Sequence, residues 1–350
     1  MGLRGRGRRW GRRFVPALPV RRDARRRRSA GQHVQEGPAA AALGSDKLGA
    51  FALAWDSFDQ DGELEGIYGQ RFKADGQKAG SEFQVNQTTK NEQQRPALAM
   101  LPTGKFMVAW ESFGQTAGAS YDVMMRCYDE FGAAAGVEQI ANEYKTDKQQ
   151  TPAVAAFPDG SGKYVVVWQS YGEDGADWGV YGQVYFQDCF KIGTPFAIHS
   201  TKVGEQSQPR VAVDKDGNFT VLWRSAGQDG SSFGIYGQSF DKNAAKVGGE
   251  FKVNSVTANE QSRPVLGYRP DGTFVSVWQT IGEDEDGFGL KQALRDGKGQ
   301  LGLDFLGNTT FKANQSLPAV GVRPNGSWVV VWGSAAQDGD KGAVVGRVFK

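Results

Sequence analysis

A chain of 350 residues with 48 glycines, 13 prolines and a formal net charge of +2 is long enough for two or three ordinary domains, yet it also fits one body built from repeats. The balanced charge hides two unlike parts: residues 1–28 hold twelve arginines against the single acid Asp23, leaving 29 basic and 38 acidic residues in the rest. An acidic body argues against nucleic acid as its partner, and no run of about 18 apolar residues offers a membrane-spanning helix.

In chain order, residues 1–29 read as an arginine-rich, disordered leader. The apolar run Phe14 to Val20 carries two prolines and is followed by more arginines, so it makes a poor secretory signal; a transit peptide is the competing reading. Residues 30–350 read as repeats. An aromatic-x-x-x-Trp strand ends at Trp55, Trp110, Trp168, Trp223, Trp278 and Trp332, with steps of 55, 58, 55, 55 and 54 residues. Such a period is the signature of a propeller, solenoid or array.

Each unit opens with a proline and small or β-branched residues, at Pro38, Pro96, Pro152, Pro209, Pro264 and Pro318. A glycine turn leads to the aromatic strand, as a two-strand hairpin requires. A glycine- and acid-rich loop then leads to a third strand, such as GIYGQRF ending at Phe72, and a short fourth strand such as EFQVN closes the unit. Four strands per unit predict an all-β fold, a six-bladed β-propeller of four-stranded blades. A glutamine stands three residues before each opening proline, from Gln35 to Gln315, and the last unit stops after its third strand. Residues 31–34 are therefore expected to supply the missing strand and close the ring, giving a monomer.

The loops from second to third strand and from fourth strand to the next unit should emerge on one face. Six residues after the Trp comes Asp61, Asp174, Asp229, Asp284 or Asp338, with Thr116 departing in the second unit. With Asp59, these carboxylates form a candidate set for a hard cation such as calcium, though Asp-Gly also simply builds turns. No other cofactor is indicated. Trp178, Phe233 and Phe288 share one loop position, and beside the amides of Gln206 and Gln261 they could stack on and hydrogen-bond a sugar. Catalysis finds no constellation: the two histidines, His33 and His199, read as strand residues, and no nucleophile triad or zinc spacing appears. The two cysteines indicate no disulfide framework; Cys127 lies in a strand, and Cys189 in a turn where exposure is expected.

The segments VVVWQSYGEDGADWGVYGQVY and VLWRSAGQDGSSFGIYGQSF, followed by GGEFKVN and QSRP, resemble the VVVW/QDG/GIYGQRF repeats of large bacterial secreted and cell-surface proteins, often associated with calcium-binding RTX arrays. That resemblance implies an extracellular or cell-surface location and a non-enzymatic binding or adhesion module, with a glycan or protein partner at the acidic loop face. The alternatives are a propeller hydrolase or lyase acting on polysaccharide, and a structural spacer.

Overall fold

In units 2 to 5 the aromatic-x-x-x-Trp strand is apolar on both faces and buried almost throughout, because neighbouring units cover both sides. The computed structural model describes residues 41–117, 119–282, 287–297, 302, 304–308, 314–335 and 342–350. The arginine-rich leader and the expected closing strand at 31–34 lie outside them. Unit 1 supplies β1 (Ala41–Ser45), β2 (Phe51–Phe58), β3 (Glu65–Phe72) and β4 (Phe83–Gln84). Unit 2 supplies β5 (Gln93–Met100), β6 (Phe106–Phe113), β7 (Ala119–Tyr128) and β8 (Gln139–Ile140). Unit 3 supplies β9 (Asp147–Ala156), β10 (Lys163–Tyr171), β11 (Trp178–Phe186) and β12 (Lys191–Ala197). Unit 4 supplies β13 (Gln206–Val213), β14 (Phe219–Ala226), β15 (Phe233–Phe240) and β16 (Lys246–Lys252). Unit 5 supplies β17 (Gln261–Tyr268), β18 (Phe274–Ile281), β19 (Phe288–Arg295) and β20 (Phe305–Leu306), and unit 6 β21 (Gln315–Val322), β22 (Trp328–Ser334) and β23 (Ala343–Phe349). Among the described residues there is no helix.

Units 1, 4 and 5 are separate four-stranded antiparallel sheets, and unit 6 is a three-stranded one. Units 2 and 3 join into a single eight-stranded sheet, through a parallel pairing of Ala119 with Asp147 and Tyr121 with Lys148. The described strands thus form five sheets where six separate blades were expected.

Five hydrophobic clusters each join one unit to the next, and Trp110, Trp168, Trp223, Trp278 and Trp332 each belong to one of them. Burial of each such ring contributes about 1.5–3 kcal/mol. A second aromatic pair locks the other end of the blade, where the first residue of the second strand stacks on the last of the third. Phe51 on Phe72, Phe106 on Tyr128 and Phe219 on Phe240 lie 4.7–4.8 Å apart, nearly parallel.

The proline-led first strands β1, β5, β9, β13, β17 and β21 pack successively against one another. The residue before the proline takes a left-handed backbone in five units: Arg95, Thr151, Gln208, Arg263 and Leu317, with φ between 51° and 56°. This conformation costs about 1–2 kcal/mol for a residue with a Cβ. Side chains from the second strand of the preceding unit offset it: Thr151 N donates to Glu111 Oε1 at 2.7 Å and Gln208 N to Gln169 Oε1 at 3.0 Å.

The cysteines correct the sequence reading. Cys127 at the end of β7 and Cys189 after β11 form a disulfide between units 2 and 3, and both are buried. Sequence separation of 62 residues concealed a pairing that depends on how two units stack.

Candidate active site

The expected ligand and metal residues do not assemble into one site. Gln206 and Gln261 are buried, which corrects their assignment to a ligand surface. Their amides tie crossover loops: Gln206 Nε2 donates to the carbonyls of Val203 and Gly204, and Gln261 Nε2 donates to Ala258 O while its Oε1 accepts from Asn254 Nδ2 at 3.1 Å. Phe233 lies under the Arg224 guanidinium at 3.8 Å, and Arg224 in turn bridges Glu205 at 2.6 Å and Glu260 at 3.4 Å. Trp178 packs edge-on against Tyr171. Phe288 is half-buried, and its N–H donates to Asn314.

The described aspartates of the set, Asp59 and Asp61 in unit 1, Asp174 in unit 3 and Asp229 in unit 4, lie in the loops of their own units. Asp61 Oδ2 accepts from Gln84 Nε2 at 2.9 Å, and Asp174 Oδ2 accepts from His199 Nε2 at 3.1 Å. Burial works against the Asp174 anion, yet the bonds from His199 and the Ala176 N–H hold its carboxyl below the usual range. Asp229 Oδ1 accepts from Ser231 N, and Asp59 is exposed with φ +60°. Asp284 and Asp338 lie outside the described residues. Among the described residues no group of three or more His, Cys, Asp or Glu side chains is placed to hold a metal ion.

A different group does converge, on the same loop face, between units 1 and 2. Opposite the last residue of the second strand, units 2 to 5 carry Tyr121, Trp178, Phe233 and Phe288, whereas unit 1 carries Glu65. Glu92 stands immediately before the crossover Gln93, and its carbonyl is fixed by the Phe113 N–H at 2.9 Å. The Tyr121 hydroxyl donates to Glu92 Oε2 at 2.7 Å. Burial pushes the Glu65 carboxyl up from its ordinary value, and the negative charges of Glu92 and Asp56 push it further. Burial raises the Tyr121 phenol as well, assisted by its bond to Glu92 and the charge of Glu111.

Beneath this pair, Glu111 is wholly buried. It accepts from Thr151 N, from Arg95 at 3.3 Å and from the amides of Gln94 and Gln150 at 3.3 Å. Burial raises its carboxyl although Arg95 opposes the shift. The constellation therefore brings together two half-buried carboxylates, Glu65 and Glu92, near the buried Glu111 and its exposed partner Arg95. A pair whose environments drive one member toward the protonated form while the other accepts a hydrogen bond is the arrangement that acid–base chemistry needs. Sequence reasoning missed all of these residues; the signal available was Glu65 interrupting an otherwise aromatic position.

No family model matches this chain, and no curated protein matches it in sequence. Its fold is nevertheless shared by solved structures. A protein of unknown function from Dyadobacter fermentans superposes with a TM-score of 0.59 at 12% identity, covering 89% of this chain and 93% of that one. An α-L-arabinanase from Penicillium chrysogenum, solved with arabinobiose, gives 0.58 at 15% identity over 88% and 92%. An α-L-arabinofuranosidase from Fusarium graminearum, solved with an iminosugar inhibitor, gives 0.57 at 12% identity over 89% and 92%.

The architecture is thus β-propeller-like and all-β. The expectation of a non-enzymatic adhesion module is overturned by this finding, since the two neighbours named for an activity both act on arabinose-containing glycosides. Among the described residues, no helix is long and apolar enough to cross a membrane.

Proposed function

We propose that this protein is a glycoside hydrolase acting on a polysaccharide, built as a propeller of six units. The observation that carries the reading is the Glu65–Glu92 pair: a carboxyl held toward its protonated form by burial and by a neighbouring carboxylate that itself accepts the Tyr121 hydroxyl. Glu65 supplies a proton to the departing glycosidic oxygen as the bond to the anomeric carbon breaks. Glu92 takes a proton from the water whose oxygen forms the new bond to that carbon. Tyr121 orients Glu92, while Glu111 and Arg95 hold the bulged first strands that frame the site.

The likeness in fold to an arabinanase and an arabinofuranosidase supports the substrate class, and the polar loop face supplies donors and acceptors for sugar hydroxyls. Six units are supported by the six Trp strands. An extracellular location is supported by the disulfide between Cys127 and Cys189, a bond that persists in oxidising compartments. The test is release of reducing ends from arabinan, xylan and cellulose by the full chain and by E65Q and E92Q. Turnover lost in both variants with folding intact supports the reading; equal turnover in wild type and variants, or none on a broad polysaccharide panel, overturns it.

A further inference from the structure

At the opposite end of the strands, between units 4 and 5, lies a cleft of about 390 Å³. Its walls are the β13–β14 turn at Asp214, the end of β15 at Ser239 and Phe240, the end of β17 at Tyr268, and Asp296 after β19. A space of this size accommodates one or two sugar rings.

The repeat itself shows what is unusual about this place. The position of Thr220 is Ala52, Met107, Val165, Val275 and Val329 in the other units. Ser239 replaces Val184 of unit 3 and Leu294 of unit 5, and Tyr268 replaces Met100, Ala156, Val213 and Val322. Three substitutions to hydroxyl residues, spread over 48 residues of sequence, thus meet at one interface. Thr220 Oγ1 lies 2.7 Å from Ser239 Oγ and 2.7 Å from the Tyr268 hydroxyl.

Packing does not require this chain, since valines fill the equivalent places elsewhere. A buried hydroxyl costs stability unless it is bonded, so three together need a reason beyond volume. Three hydroxyls bring three protons and their two mutual contacts use two, so when the chain donates in one direction an O–H is left at one end for a further acceptor. Both ends, Ser239 and Tyr268, line the cleft. Burial pushes the Tyr268 phenol up to about 12, so it remains a donor at neutral pH. Asp214 is committed to its own turn, accepting from Asp216 N and Asn218 N at 2.8 Å each.

We infer that this cleft is a second carbohydrate-binding site, which takes a neutral glycosyl residue through the Ser239–Thr220–Tyr268 hydroxyl chain. It rests on the carbohydrate part of the reading above and not on the Glu65–Glu92 chemistry. A site on the far face would hold the polymer while the loop face cuts it, adding avidity without new catalytic contacts.

The test measures binding of arabinobiose, xylobiose and cellobiose by calorimetry to the full-length E65Q protein, alone and combined with T220V/S239V. These valines are the unit 3 residues at the same positions, so folding is retained, and a thermal melt verifies it. The expected result is saturable binding of at least one disaccharide that weakens at least tenfold in the valine variant, while T220V/S239V in the wild-type background keeps its turnover on short soluble substrates. Binding equal in both proteins, or no binding of any of the three, overturns the site. No hydrolysis by the wild-type chain, with this binding difference preserved, would overturn the catalytic reading and leave the site standing.

Discussion

Asp122 Oδ1 accepts a hydrogen bond from Asn142 Nδ2 at 2.8 Å, with both residues buried. This bond explains why unit 2 alone has a threonine where the other units have a loop aspartate. In unit 1 the carboxylate comes from the loop: Asp61 Oδ2 lies 3.5 Å from Asn86 Nδ2, and a Cβ on Gly66 would sit 2.6 Å from that oxygen. Unit 2 places Asp122 where unit 1 has Gly66, so the strand delivers the carboxylate itself and Thr116 has no such task.

Asp122→Gly should therefore cost about 1 kcal/mol, the net worth of one hydrogen bond, since Asn142 Nδ2 keeps its bonds to Tyr144 O and Gln149 Oε1. Adding Thr116→Asp should recover part of that loss by rebuilding the loop-borne version. Urea unfolding of the single and double variants measures both. A chelator should leave the melting temperature unchanged, because these carboxylates have protein partners.

Turnover should be lost in Glu65→Gln and Glu92→Gln by roughly 10²–10⁴-fold, the range for removal of a general acid or base. Tyr121→Phe should lower it less, since only the orienting bond to Glu92 disappears. The raised Glu65 carboxyl must be protonated to act, so the wild-type rate should fall as pH rises through its raised value. A pH–rate profile checks this.

The same shift bears on stability. A carboxyl that holds its proton more tightly folded than unfolded contributes stability that is fully present below the ordinary value of 4.5 and is lost as pH rises through the raised folded value. Glu65→Gln should then be more stable than wild type at neutral pH and not at acidic pH. Denaturant midpoints at two pH values settle the sign.

Replacing Cys127 and Cys189 by serine should destabilise the chain by about 4 kcal/mol if loop-closure entropy is the main contribution. Calorimetry with and without reductant measures the effect, and a reductant-insensitive melt would contradict the bond.

Trp223→Ala should cost about 3–5 kcal/mol, because this fully buried ring belongs to the core shared by units 3 and 4. Equilibrium unfolding checks the figure, with Phe58→Ala, whose side chain is exposed, as a control near zero.

By itself the amino-acid sequence determined the repeat, the strands and the buried Trp ladder. Those features rest on local alternation and turn chemistry, which recur every 54 to 58 residues and need no knowledge of neighbours. Proximity between units was decided only in the tertiary structure. Cys127 meets Cys189 because one unit's third strand faces the next unit's turn, and Glu65 feels the charge of Glu92 because a strand start and a crossover loop share one face. Of the aspartates that looked like a metal ring, Asp61 lies beside Asn86 and Asp174 beside His199, each within its own unit. A repeating motif shows what every unit requires, whereas the candidate site and the hydroxyl cleft arise where single units depart from it, and a departure acquires meaning only when its spatial neighbours are known.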